Sequence, residues 1–217
     1  MIGNFILKHC AKGNAELKSN EVRTKVGNIS SLIGIGINIV LCTSKIAIGS
    51  LFGSVSISAD GINNLSDAGN SIISLVSFKL SSRPADKEHP FGHARYEYIA
   101  AMIVAVSILV LGVEMIKSSL DKIINPQPVH FSWLAVGVLV FSILAKGWLY
   151  FFNSGVGKAI DSSVMQATAA DSLSDSIATT VVLVSLFVST FFNIQLDGYM
   201  GIIVAGFIMF TSFNILK

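Results

Sequence analysis

Six long apolar stretches run along the chain, at residues 26–52, 54–80, 94–120, 131–152, 162–192 and 198–216. Each reaches the roughly 20 residues that a helix needs to cross a bilayer. Gly49 and Gly53 punctuate the first turn between them, and Asn125-Pro126-Gln127-Pro128 breaks the chain between the third and fourth stretches. Proline cannot continue a helix. The pattern predicts an all-α polytopic membrane protein of six transmembrane helices, residues 26–217. Residues 1–25, mixed and basic, read as a short cytoplasmic or interfacial segment.

Charges inside these stretches are few and not scattered. Lys45 is the only one in the first, and Lys146 the only one in the fourth. The second carries Asp60 and Asp67 in its apolar body, and the fifth carries Asp171 and Asp175. A charged side chain at a helix centre costs about 2.5–3.5 kcal/mol even on the lenient insertion scale. At about 100° per residue, Asp60, Asn63, Asn64 and Asp67 share one narrow arc, extended by Ser56, Ser71 and Ser74. Asp171 and Asp175 stand one turn apart, with Thr168 and Ser174 beside them. Such stripes must face each other or water, never lipid.

Small polar residues also glue membrane helices together, which suits Ser56, Ser74 and Thr168. It suits the acids poorly, because like charges at i, i+4 repel. Lys45 and Lys146 are possible partners for one or two of them, or snorkel elsewhere. A divalent cation would neutralise the cluster directly. Asn63, Asp67, Asp171 and Asp175 offer oxygen alone, a set that favours harder ions such as Mn²⁺, Mg²⁺ or Ca²⁺ over Zn²⁺. A second constellation, Asp86, His89 and His93, lies in the loop after the second helix. Its mixed oxygen and nitrogen donors are ones that many transition metals accept.

Composition sharpens this. Residues of the AVILMFWYC set make up 52% and charged residues 13%, with a mean hydropathy of +0.69. Soluble domains carry about 25% charged residues. Disorder, a nucleic-acid binder and a disulfide scaffold are excluded. Cys10 and Cys42 lack metal or redox spacing and read as lone reduced thiols. Of the 15 Lys and Arg, Lys117 and Lys122 fall on one side, Lys45 and Lys146 within helices, and the rest on the other. The basic side should be cytoplasmic, with both termini in.

These motifs resemble the cation diffusion facilitator family. The run from Lys45 through Gly49-Ser50 and Ala59-Asp60 to Asn63 and Asp67 is similar to its first ligand pair. The loop Asp86…His89-Pro90-Phe91-Gly92-His93 is similar to its loop signature, and Ala170-Asp171…Asp175 to its second pair. The resemblance covers residues 26–217. It implies export of a divalent metal ion against a proton gradient, by a homodimer in the cytoplasmic membrane. It also implies a central site of Asn63, Asp67, Asp171 and Asp175 and a secondary site of Asp86, His89 and His93. Asp60 would then be a salt-bridge partner, with Lys45 or Arg95 as candidates. Asn-Asp with Asp-Asp resembles the bacterial manganese-exporting branch, whereas the zinc branch typically has His at the position of Asp171. The family usually continues into a cytoplasmic domain, and this chain is expected to be the transport domain without it.

The resulting expectation is alternating-access Mn²⁺/H⁺ antiport, with no enzymatic step and no prosthetic group. Zn²⁺, Cd²⁺ and Fe²⁺ remain alternative cargoes. A passive channel or a membrane anchor is the competing class. No repeated filter motif favours a channel, and an anchor has no need of buried acids.

Overall fold

The structure is a computed structural model, and it describes residues 19–51, 55–87, 89–125, 132–192 and 197–217. Most of the expected interfacial segment and the Pro126–Pro128 break lie outside the described residues. Six helices and no strand occur among the described residues: α1 (Asn20–Leu51), α2 (Val55–Ser81), α3 (Arg95–Ile124), α4 (Trp133–Ala159), α5 (Ser163–Phe192) and α6 (Asp197–Leu216). α1, α3 and α4 outrun their apolar stretches by several residues. α1 starts at Asn20, where the Ser19 hydroxyl accepts a hydrogen bond from the amide of Val22, as an N-cap does. Hydropathy marks only what suits lipid, and a helix continues through the headgroup zone as long as its backbone bonds and cap allow.

Five helices are long and apolar enough to cross a membrane, and α2 is the exception. Its 27 residues would span about 40 Å at 1.5 Å per residue. The shortfall is compositional. Asn64, Asp67, Ser71 and Ser74 are buried on one face, while Ile62, Leu65, Ile72 and Val76 are exposed on another. Average hydropathy mixes the two faces; the helix itself separates them.

The chain divides into two compact units. The first comprises Met1–Val104 and Leu149–Ala169, the second Ala105–Trp148 and Ala170–Lys217. In the first unit α1 packs closely on α2. A Cβ at Gly61 would sit 2.9 Å from Ile46 Cγ1 and 3.2 Å from the Cys42 carbonyl oxygen, so only glycine permits this approach. Arg23 ties α1 to two other elements at once: its Nε donates to the Ile160 carbonyl at 2.8 Å, and its Nη2 to Asp161 O at 3.1 Å and to Glu97 Oε2 of α3 at 3.0 Å. These two carbonyls belong to the turn after α4, where Asp161 adopts a left-handed φ of 53° and Ser162 then caps α5 through the Met165 amide.

In the second unit α3 and α6 meet at the backbone. A Cβ at Gly198 would lie 2.8 Å from Ser119 O, and Ser212 Oγ donates to Ala105 O at 2.6 Å. Both units are built with polar groups inside and large apolar groups outside. Lys45, Lys146 and Asp175 are 2–6% exposed, whereas Leu32, Phe151 and Phe210 are 56–75% exposed. A water-soluble domain does the reverse. In lipid this distribution satisfies polar groups internally and leaves hydrocarbon to meet hydrocarbon.

Candidate metal-transport site

In the first unit the polar face of α2 is held by a ladder of local bonds. Ser71 Oγ donates to the Asp67 carbonyl at 3.1 Å and Ser74 Oγ to that of Asn70 at 3.1 Å. Ser74 Oγ also pairs with Thr168 Oγ1 at 3.0 Å, which ties α2 to the first turns of α5. Asp67 is 5% exposed. Its Oδ2 accepts from the side-chain amide of Asn64 at 3.3 Å. The other end of that amide, Asn64 Oδ1, is buried and meets no donor among the described residues. Asn63 is half-buried. Asn64 belongs to the polar stripe read from the sequence but not to the expected ligands; its i, i+3 spacing to Asp67 is the signal for it.

Near the start of α2, Asp60 Oδ2 lies 2.8 Å from Lys45 Nζ. The lysine is 2% exposed and the acid 33%. Arg95 is exposed in the first turn of α3.

In the second unit Asp171 and Asp175 are both buried, and each offers a carboxylate oxygen within 4.8 Å of the other's. Lys146 Nζ donates to Asp175 Oδ2 at 2.6 Å, and both side chains are buried. The sequence alone leaves this pairing open, because a lone lysine in an apolar helix has several ways to be satisfied. Such a short charge-assisted bond is among the strong hydrogen bonds of a protein.

The loop constellation is also assembled. Asp86, His89 and His93 each offer a ligand atom within 4.8 Å of the others. The His89 amide donates to Asp86 Oδ1 at 2.6 Å, and Gly92 turns the chain back at φ 79°. His93 Nδ1 lies 3.2 Å from the Pro84 carbonyl. A carbonyl only accepts, so this nitrogen carries a proton, and Nε2 is the ring nitrogen that faces the cluster, 3.5 Å from Asp86 Oδ2. That is how a metal-binding imidazole is usually oriented. The Tyr96 ring stacks on His93 at 5.7 Å and holds it in place.

Oxygen donors buried on apolar helices, and an imidazole-carboxylate cluster in a loop, are equipment for handling cations. Residues 31–217 match the cation efflux transmembrane domain family. The chain belongs to that family. It is a multi-pass membrane protein of a family of metal transporters. An uncharacterised transporter of Methanocaldococcus jannaschii is 35% identical over 86% of this chain and 65% of its own length. The manganese efflux system protein MneS of Bacillus subtilis is 28% identical over 89% and 67%. Metal tolerance protein 2 of Oryza sativa subsp. japonica is 30% identical over 82% and 52%. The chain thus spans about half to two thirds of the length of these relatives.

Proposed function

We propose that the chain exports Mn²⁺ across the cytoplasmic membrane in exchange for protons, with Asn63, Asp67, Asp171 and Asp175 as the ligands of the transported ion. The observation that carries this reading is the burial of three carboxylates on helices that otherwise suit lipid. Acids in such positions mark an ion pathway. The Ser74–Thr168 bond supports the assignment, because it joins the two helices that carry the acids, and both residues lie on the polar stripes.

Manganese follows from the donors. They are all oxygen, and hard divalent ions tolerate that best. The name of the B. subtilis relative, a manganese efflux system protein, agrees. In this reading the acids draw Mn²⁺ from the cytoplasm and release protons to it. The helices then rock to open the site outward, and returning protons reduce the charge on the acids and free the ion. Asp86, His89 and His93 hold a second ion at the loop, which does not travel. The working unit is the homodimer that the family resemblance implies.

The test is uptake into inverted vesicles with and without an imposed pH gradient, using Mn²⁺, Zn²⁺, Cd²⁺ and Fe²⁺ in parallel. Gradient-driven uptake with Mn²⁺ preferred is expected. Uptake that ignores the gradient and only follows the ion's own gradient would indicate a channel.

A further inference from the structure

Lys146 stands at the midpoint of α4, a helix of 27 residues between Trp133 and Ala159. At 1.5 Å per residue each end is about 20 Å away, beyond the reach of a lysine stem. Its ammonium cannot snorkel to the headgroups. The rest of α4 suits lipid: Phe141, Leu144, Trp148 and Phe151 are exposed, while Ser142 and Lys146 are buried on the opposite side. A buried ion pair is a poor device for stability alone, since apolar residues of the same volume usually do as well or better. A lysine at this depth therefore needs another explanation, and its partner supplies one. The ammonium lies 2.6 Å from Oδ2 of Asp175, one of the acids assigned above to the transported ion.

We propose that Lys146 is a tethered counter-ion of the transport site, which holds Asp175 while the site is empty and is displaced from it by the incoming divalent cation. This rests on the assignment of Asp175 as a ligand. Its function is to keep the empty carrier mobile and the loaded carrier able to release. Without a cation near it, an acid of the site that stays ionised is a charge held in low dielectric. With the lysine as internal competitor, the cation is bound less tightly than the acids alone would bind it, and the returning ammonium helps the returning protons to free it. A flexible four-carbon stem with a point charge suits that exchange better than a rigid guanidinium fork. The apparent affinity of the site is its intrinsic affinity reduced by the fraction of molecules in which Asp175 is open.

The experiment uses the full chain in lipid nanodiscs, with Mn²⁺ binding read from the loss of the free-ion electron paramagnetic resonance signal. Transport is read separately in proteoliposomes. Lys146→Met should bind Mn²⁺ about tenfold more tightly than wild type yet transport it several-fold more slowly. A merely structural lysine would not move binding and transport in opposite directions. Lys146→Arg, which keeps the charge, should bind no more tightly than wild type. In wild-type protein, saturating Mn²⁺ should increase acetylation of Lys146 by acetic anhydride, followed by peptide mass spectrometry, because the ammonium has left its carboxylate. Weaker or unchanged binding by Lys146→Met overturns the proposal, as does tighter binding by Lys146→Arg or acetylation that fails to rise. Should Lys146→Met not fold, the arginine variant and the labelling decide. Asp175→Asn tests the underlying assignment independently: if it binds Mn²⁺ as wild type does, Asp175 is no ligand, whatever the lysine does.

Discussion

Two buried lysines in two helices each meet an aspartate, and the pairs differ in their acids. Lys45 lies toward the end of α1 and Asp60 toward the start of α2, and the aspartate keeps a third of its surface exposed. Lys146 and Asp175 lie deep in α4 and α5, with side chains 3% and 7% exposed. The inner contact is also the shorter, at 2.6 Å against 2.8 Å. The first pair fastens two neighbouring helices and leaves its acid partly exposed. The second is almost wholly enclosed and shares its acid with the proposed ligand set. The same two residue types thus do different work according to depth.

The largest expected effect separates the acids. Asp67→Asn and Asp175→Asn should each reduce Mn²⁺ transport about a hundredfold or more, as loss of roughly 3 kcal/mol of ion binding implies. Asp60→Asn should keep transport within about tenfold of wild type, in the range seen when a supporting partner rather than a ligand is changed. Vesicle uptake measured side by side decides this. Equal collapse in all three, with equal loss of bound metal, would erase the distinction between the pairs.

Next in size is selectivity. Asp171→His adds an imidazole that Zn²⁺ favours and removes one negative charge, so the Zn²⁺/Mn²⁺ transport ratio should rise by about tenfold. Adding Asn63→His should push it further. A ratio that stays unchanged in both variants would show that ligand hardness does not set the preference.

Stability should then show an asymmetry within the outer pair. Asp60→Asn leaves the ammonium of Lys45 buried without its carboxylate, which costs up to about 3 kcal/mol, near the low end for a broken buried pair. Lys45→Met leaves behind an acid that still reaches polar surroundings, and should be milder. Thermal unfolding in detergent would show the order; a reversed order would mean that Lys45, not Asp60, has the better access to water.

The smallest effect is expected at the loop. His89→Ala with His93→Ala should leave Mn²⁺ transport within about threefold of wild type, because a metal in a solvated loop gains little from low dielectric. Bound metal per chain, measured by elemental analysis, should nevertheless fall. Abolished transport in a well-folded double variant would place the loop in the transport step itself.

Much of this was legible in the chain alone. Six apolar stretches announce six helices because a membrane demands length and hydropathy, and both are local properties. The stripes containing Asp60, Asp67, Asp171 and Asp175 are local too, since helical periodicity depends on one segment only. Even α2, too polar on average, was recognisable from its two-faced pattern. The spacing of Asp86, His89 and His93 marked the loop.

Other features depended on neighbours and emerged only in three dimensions. Lys146 finds Asp175 across 29 residues of chain, and no periodicity within either helix selects that partner over another. Asn63 and Asn64 are adjacent, about 100° apart in azimuth; packing buries Asn64 and turns its amide to Asp67, while Asn63 stays half-buried. The Pro84 carbonyl sets which nitrogen of His93 is free to bind. Which positions are polar is written residue by residue, but which polar group satisfies which is decided by the helix packing that takes water away from both.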